Sequence, residues 1–406
     1  MDSKSTALST ELRGLGGQGA SLLAHLADDG PEARRPTGSR SRRPIIPVLQ
    51  LRGMRQVVAV FVVTRVALFF TVLAAVTLFP PAQCSVCRSA STNGFLSALA
   101  NWDGAAYLEI ARRGYQQLDA SYAAYFPLYP LLMSVGGIVG STEAYIVAGL
   151  VVSNTACLAA AALLARLSDE AGHSGLATAT YLLIFPTTIF LSALYADSLF
   201  IALAIASALA ARRSRWWASG ALAAGATLAR PFGMLAIVPL AVALWTRRGA
   251  LRFRDVVPLA LGPVAFAAWV AYLYGMTGDP LAIIHGYTSG FTPRQPLQAF
   301  TDLLDPTVYG FPWLVAGLFA LFVALTLLAW RAASGGLAAY ATAMMLVIGG
   351  AGSLTSSMRY ELSVYPAFIS LASITRRAPA RIVWSLISFA LALLLAGMFA
   401  LYYWVG

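Results

Sequence analysis

The sequence predicts an all-α fold, a polytopic membrane bundle of about 9–11 membrane helices. Hydrophobic residues make up 59% of the 406 residues and charged residues only 11%, whereas soluble domains carry roughly 25% charged residues. Long apolar runs recur along the chain, and they lack the alternation of polar and apolar residues that a membrane β-barrel needs. The arginines collect between these runs, as expected of cytoplasmic loops.

The chain is expected to begin with a tail on the cytoplasmic side of the plasma membrane. Residues 1–54 are rich in Gly, Ser, Pro and Arg, have no periodic apolar segment, and are predicted to form a disordered basic tail. Arginines from Arg34 to Arg55 precede the first apolar run and should hold the N-terminus in the cytoplasm. Residues 55–406 are predicted to be one transmembrane domain, with residues 81–126 as its first external loop.

The later spans follow from the alternation of arginine-rich and arginine-poor loops. Residues 127–140 are short and broken by Gly and Pro, so they are predicted to be an interfacial or dipping segment, and whether they cross is left open. The other predicted spans are, approximately, residues 144–165, 176–194, 198–211, 256–275, 311–330, 336–352, 362–375 and 382–404.

Residues 216–245 are predicted to form a short, broken helical hairpin. They join two arginine-rich loops that should lie on the same side, and they are too few for two spans of about 20 residues each. A break near Arg230-Pro231 resolves this conflict. Irregular backbone at membrane depth persists only where protein or water covers it, so the break is expected to line a cavity.

A polar stretch containing Trp102 and Asp103 follows the first span. Asp103 opens a predicted amphipathic helix at the membrane interface, with Tyr107 on its apolar face. We interpret Asp103 as a functional residue, because placing an acid at a membrane face costs free energy, and such a residue is seldom retained unless it has a function. The alternatives are that Asp103 only caps the helix, and that Trp102 and Tyr107 are ordinary interfacial aromatic residues.

Three more charged residues are candidates for the same outer face. Asp197 lies between two apolar runs, as a helix cap or a site residue. Arg230 lies within the broken hairpin, where an arginine costs roughly 2.5–3.5 kcal/mol on insertion scales, and a lipid phosphate would suit its two-pronged guanidinium. Arg359, beside Tyr360, is an external arginine that the positive-inside rule disfavours, so it binds a ligand or pairs with Glu361.

Other kinds of binding site receive little support. The net charge of +11 arises from arginines of the tail and loops, so no nucleic-acid partner is expected. His25, His173 and His285 do not cluster and predict no metal site, while a requirement for a divalent metal is left open. Cys84 and Cys87 form either a local disulfide or two free thiols.

Five motifs, in order, resemble those of the PIG-V-type mannosyltransferases, which include the enzyme that adds the second mannose of GPI anchors. The arginine-rich, lysine-poor composition suggests a bacterial member. Three positions depart from the family pattern, which usually has Thr or Ser at Ala196, Glu at Asp197 and Thr at Ala229. The motifs are Trp102-Asp103-Gly104 with Tyr125-Phe126-Pro127, Phe185-Pro186-Thr187 leading to Asp197, Arg230-Pro231-Phe232-Gly233, Gly278-Asp279-Pro280 and Ser357-Met358-Arg359-Tyr360.

The resemblance implies a GT-C-like glycosyltransferase bundle with its active site on the extracytoplasmic side. The donor would be a polyprenyl-phosphate sugar, usually mannose, and the acceptor a glycolipid or glycan reached among the membrane lipids. Transfer would invert the anomeric centre, with Asp103 as general base. Arg230 and Arg359 would bind the donor phosphate. The supporting residues would be Trp102, Tyr107, Asp197 and Tyr360.

Two other functions compete with sugar transfer. A transporter or flippase of a lipid-linked sugar would use the same ligand, but transporters often contain inverted repeats and the sequence shows none. A non-catalytic membrane partner of a glycosyltransferase is the third candidate, because Ala196, Asp197 and Ala229 depart from the family pattern. The sequence names neither the sugar nor the acceptor.

Overall fold

The computed structural model describes residues 46–82, 90–290, 298–304 and 311–406. All regular structure in these residues is helical, and the all-α polytopic membrane class is confirmed. Cys84, Cys87 and the predicted tail up to residue 45 lie outside the described residues. The first helix begins at Ile46, within the segment predicted as a tail.

The α-helices of the described residues are connected by short turns and 3₁₀ segments. In chain order they are α1 (Ile46–Leu78), α2 (Gly94–Leu99), α3 (Asp103–Arg113), α4 (Leu128–Met133), α5 (Thr142–Glu170), α6 (Gly175–Leu183), α7 (Asp197–Arg212), α8 (Trp216–Ala229), α9 (Val238–Thr246), α10 (Phe253–Val256), α11 (Leu261–Thr277), α12 (Ala282–Gly290), α13 (Gln298–Thr301), α14 (Pro312–Ala332), α15 (Gly335–Gly350), α16 (Ser357–Tyr360), α17 (Tyr365–Ile374) and α18 (Ala378–Ala400).

Several of these helices can cross a membrane, and the chain is a multi-pass membrane protein. Five helical stretches in the described residues are long and apolar enough: Gly53–Leu78, Thr142–Glu170, Phe253–Thr277, Pro312–Ala332 and Ala378–Ala400. Shorter apolar stretches accompany them: Leu128–Ile138, Pro231–Thr246, Gly335–Gly350 and Tyr365–Ile374. Tyr365–Ile374 has ten residues and is therefore about 15 Å long. This length is about half of the hydrocarbon thickness of a membrane.

The prediction of a continuous span over residues 176–194 is wrong. Helix α6 ends at Leu183, and an irregular stretch containing Pro186 and a short 3₁₀ segment, Thr188–Leu191, follows. Proline cannot continue the backbone ladder of a helix. The irregular stretch is buried throughout, which satisfies the requirement that non-helical backbone at membrane depth be covered by protein.

Arg65 of α1 holds this irregular stretch in place. Its guanidinium is buried and donates to the carbonyl oxygen of Leu183 over 2.5 Å, to Ser192 Oγ over 2.8 Å and to Thr188 Oγ1 over 3.0 Å. The Leu183 carbonyl oxygen, at the end of α6, is one of the backbone groups that a broken helix leaves without a partner, and the two hydroxyls belong to the irregular stretch itself. The arginine therefore replaces part of the hydrogen bonding that a continuous helix would have supplied.

The predicted break of the hairpin is present at Arg230. Helix α8 ends at Ala229, Arg230 has an extended backbone (φ −154°, ψ 150°), and a 3₁₀ segment, Pro231–Ile237, leads into α9. The chain then packs back on α8: a Cβ atom added at Gly233 would lie 1.9 Å from the carbonyl oxygen of Ala226. Glycine at this position permits the return of the hairpin and hence the placement of Arg230.

Replacing Gly233 by alanine is expected to destabilise the protein by at least about 1–3 kcal/mol, because the methyl group would overlap backbone atoms of α8. The measurement is thermal unfolding of the detergent-solubilised protein. Gly225→Ala is the matched control, since its Cβ would make an ordinary 3.4 Å contact with Leu203 Cδ1. Equal unfolding midpoints for the two variants would contradict the close approach at Gly233.

Candidate active site

The centre of the candidate site is the buried carboxylate of Asp197, the first residue of α7. A carboxylate at a helix N-terminus is favoured by the helix dipole, yet this one makes no capping hydrogen bond. Its side chain is fully buried and receives two guanidiniums: Arg230 Nη1 contacts Oδ1, and Arg359 Nη2 lies 2.9 Å from Oδ2. The capping alternative for Asp197 is therefore wrong.

Arg359 connects the two acids of the site. It projects from α16, and its side chain is 2% exposed. Its Nε lies 3.1 Å from Asp197 Oδ2, and its Nη1 lies 2.5 Å from Asp103 Oδ2. Burial by itself would lower the pKa of this guanidinium, but Asp197 and Asp103 raise it well above its ordinary value. Arg359 is thus a permanent cation held between two carboxylates.

Asp103 is the more accessible of the two acids. It is the first residue of α3, and its side chain is 28% exposed. The residue at the cap position is Trp102, which makes no side-chain capping bond. Besides Arg359, the carboxylate of Asp103 accepts a long, 3.4 Å hydrogen bond from the Tyr125 hydroxyl. The sequence alternative of a helix cap is wrong here too.

Trp102 has a constrained backbone directly before Asp103. Its φ of +59° and ψ of −124° lie in a region that residues other than glycine rarely adopt. Two features hold it there. The indole packs edge-on against Trp404 at a centroid distance of 5.3 Å, and the neighbouring Asn101 donates from Nδ2 to the Phe399 carbonyl oxygen at the end of α18 over 3.1 Å. The start of α3, and with it Asp103, is therefore anchored to α18.

The predicted aromatic residues surround the charged cluster. Tyr360 lies beneath both arginines, with its ring centroid 5.1 Å from Arg230 Cζ and 5.8 Å from Arg359 Cζ, distances at which a ring face attracts a cation. Tyr107 is buried, and its ring packs edge-on against that of Tyr125 at 5.2 Å. All seven predicted site residues thus lie in one cluster or pack against it.

Other candidates from the sequence lie apart from the cluster. The Arg359–Glu361 pair is absent: the Glu361 carboxyl is buried and has no hydrogen-bond partner among the described residues. Asp279 closes a turn by accepting from the backbone N–H of Leu281 over 2.9 Å, and it contacts His285. In the described part of the chain, no group of three or more His, Cys, Asp or Glu residues could hold a metal.

Two tyrosines of the site were missed in the sequence. The charge of Asp103, together with burial, raises the pKa of the Tyr125 phenol, which therefore remains a hydrogen-bond donor. Burial also raises the pKa of the Tyr287 phenol on α12, and Tyr360 and Asp103 act in the same direction. The Tyr125-Phe126-Pro127 motif could have indicated Tyr125. Tyr287 gave no signal, because only the folding of α12 over the site brings it there.

The arrangement separates two chemical tasks. Asp197 is inaccessible and holds Arg230 and Arg359 side by side, where they could receive an anion. Asp103 is partly open to a ligand and could accept a proton. Two carboxylates and two guanidiniums balance in charge, so an entering phosphate has to compete with the acids for the arginines.

Comparison with known proteins identifies one related family. Residues 53–248 match the family model described as mannosyltransferase (PIG-V). The matched region includes Asp103, Asp197 and Arg230, while Arg359 lies C-terminal to it. No curated protein matches the chain.

Substitution of Asp197 by asparagine is expected to destabilise the protein by about 3–5 kcal/mol, because it leaves two buried guanidiniums facing one carboxylate. The measurement is the midpoint of thermal or denaturant unfolding. Asp279→Asn removes the same charge from an exposed turn and should change stability by less than about 1 kcal/mol. Equal effects of the two substitutions would show that Asp197 is not the ion on which the cluster depends.

Proposed function

The chain belongs to the mannosyltransferase (PIG-V) family, and from this premise we propose the donor, the acceptor class and the chemical role of each site residue. The chain is a membrane glycosyltransferase. We propose that it moves mannose from a polyprenyl-phosphate carrier to a glycolipid or glycan hydroxyl on the extracytoplasmic side of the plasma membrane, with inversion at the anomeric carbon. The observation that carries the proposal is the partly exposed Asp103 carboxylate beside the paired arginines.

Asp103 is proposed as the general base. The acceptor hydroxyl oxygen attacks the anomeric carbon, its proton passes to the Asp103 carboxylate, and the bond from the anomeric carbon to the phosphate oxygen breaks. Asp197 is less suitable for this task, because its side chain is fully buried and both carboxylate oxygens are occupied by arginines. Asp197 instead positions the two guanidiniums.

Arg230 and Arg359 are proposed to bind the donor phosphate. The leaving polyprenyl phosphate gains negative charge as the glycosidic bond breaks, and fixed cations in a water-poor site stabilise such charge most strongly. Both arginines are at least nine-tenths buried, and their guanidiniums offer paired N–H donors that match phosphate oxygens. The stacking of Tyr360 on both restricts their movement.

An apolar groove on α11 supports a lipid-borne donor. The groove has a volume of about 430 Å³ and is lined by residues that include Phe266, Val270 and Tyr274. It extends to Pro280, two residues before the start of α12, which carries Tyr287. A prenyl chain is an apolar ligand of this kind, and its phosphate would then lie near the charged cluster.

The proposed side of the membrane rests on the two ends of α7. Asp197 begins this helix, and Arg212, followed by Arg213 and Arg215, ends it. Arginine-rich loops are retained in the cytoplasm. The candidate site, at the opposite end of α7, would therefore face the extracytoplasmic space.

Asp103→Asn is expected to lower mannosyl transfer by about 100-fold or more, because the amide cannot accept the acceptor proton. The assay follows labelled mannose from polyprenyl-phosphate mannose into lipid or glycan in isolated membranes. Glu109→Gln is the matched control: this acid lies on the same helix but pairs at the surface with Arg113. A fully active Asp103→Asn protein would exclude Asp103 as the base. A transporter would instead move the carrier with its sugar bond intact.

Arg230→Lys and Arg359→Lys are each expected to lower kcat by about tenfold or more. Each keeps the charge but replaces a planar donor pair with a compact ammonium that cannot bind phosphate oxygens in two-pronged fashion. Arg113→Lys, on the exposed face of α3, serves as the control. If both site variants kept wild-type kcat and donor KM, the proposed phosphate contacts would be wrong.

A further inference from the structure

A second charged cavity lies at the other end of α7, remote from the candidate active site. It has a volume of about 510 Å³. Helix α7 has 16 residues, so roughly 22 Å separates Asp197 from Arg212. The cavity is lined by the C-terminal ends of α5 and α7, by one side of α9 and by the N-terminal end of α15.

The wall of this cavity carries an excess of positive charge. Arg212, Arg213 and Arg247 line it together with a single carboxylate, Glu170. Glu170 is shared by Arg212, at 3.3 Å, by Arg213, at 2.7 Å, and by Arg166, at 3.4 Å. Arg247 contacts Ser214 Oγ and lies over the Trp216 ring, and no described carboxylate pairs with it. The cavity therefore has cationic side chains that the carboxylates of the described residues do not neutralise.

The start of α15 adds backbone donors to the same wall. Ser334, at the cap position, makes no side-chain capping bond, so the first N–H groups of this 16-residue helix keep their partial positive charge. Gly335 and Gly336 line the cavity. No atom lies within 4 Å of a Cβ atom built at Gly335, whereas Gly336 packs closely on Pro239. Open space therefore lies beside the helix terminus.

Part of the cavity wall is apolar. Ala208, Pro239, Val242 and Leu337 line the cavity together with the arginines and contribute aliphatic surface. A free inorganic anion would gain nothing from this surface, whereas the glycerol and upper acyl carbons of a phospholipid would. The cavity thus combines cationic and apolar lining residues.

Tryptophan side chains place this cavity at the level of lipid head groups. Trp217, Trp245 and Trp330 are all more than half exposed, and each lies near a helix end within four residues of a residue that lines the cavity. Exposed tryptophan is enriched where a membrane meets water. Arg248 stacks on Trp245 with its Cζ atom 4.8 Å from the ring centroid, which adds another cation at the same level.

We propose that this cavity binds the phosphate head group of an anionic phospholipid, with Arg213 and Arg247 as its principal ligands. The lipid would join the ends of α7, α9 and α15, the helices that hold the broken hairpin and Asp197 in place. The proposal is independent of the sugar donor, because it concerns the opposite end of the bundle.

The test is thermal unfolding and native mass spectrometry of the full-length protein in neutral detergent. Phosphatidylglycerol is expected to raise the unfolding midpoint, and phosphatidylcholine with the same acyl chains to raise it much less. The Arg213→Gln/Arg247→Gln variant should bind phosphatidylglycerol at least about tenfold more weakly, since both charge-assisted contacts to the phosphate are lost. Arg376→Gln/Arg377→Gln removes the same charge outside the cavity and should retain wild-type binding.

A second variant tests the proposal even if the first variant fails to fold. Gly335→Leu keeps every arginine and extends into open space, so it should fold with an unchanged midpoint in detergent and lose the shift caused by phosphatidylglycerol. Equal shifts with the two lipids, an equal shift with inorganic phosphate, or undiminished lipid binding by both cavity variants would each overturn the proposal.

Discussion

The salt bridge of Asp197 with Arg230 and Arg359 is the interaction on which the arrangement of the site depends. Removing an ion from water costs several kcal/mol, so each of these side chains persists only where its partners lie close. Their partners come from distant parts of the chain: the start of α7, the break between α8 and the following 3₁₀ segment, and the short helix α16. The requirement for mutual neutralisation therefore explains why three interruptions of regular helix meet at one point.

The local backbone at these interruptions positions the charged side chains. Arg230 has an extended backbone and precedes a proline, so it neither continues α8 nor begins a new regular helix. Gly233 then lets the chain return against α8. On the other side, the unusual backbone of Trp102 and the Asn101 contact to α18 set the direction of α3. The carboxylate of Asp103 thereby reaches Arg359 without becoming buried like Asp197.

Much of this organisation was predictable, because charges in an apolar chain are conspicuous. Hydropathy and arginine placement predicted the membrane bundle and the break at Arg230. The position of Asp197 between two apolar runs, and the external location of Arg359 that the positive-inside rule disfavours, indicated these two residues. The span over residues 176–194 was mispredicted because apolar composition does not distinguish a helix from a buried irregular stretch, although Pro186 was visible. Arg65 met the same criterion as Arg230 and was overlooked. The position of Tyr287 in the site depends on tertiary packing, which hydropathy does not predict.

The position of Arg359 between two acids has a consequence for the order of events during transfer. One guanidinium shares its hydrogen bonds between Asp197 and Asp103, so its hold on either depends on the charge of the other. When the proposed base takes up a proton, its attraction for Arg359 falls, and the N–H groups facing it become available to the phosphate that is departing. Proton uptake and charge stabilisation would then be coupled through a single side chain, which would delay full stabilisation of the leaving group until the acceptor has reacted.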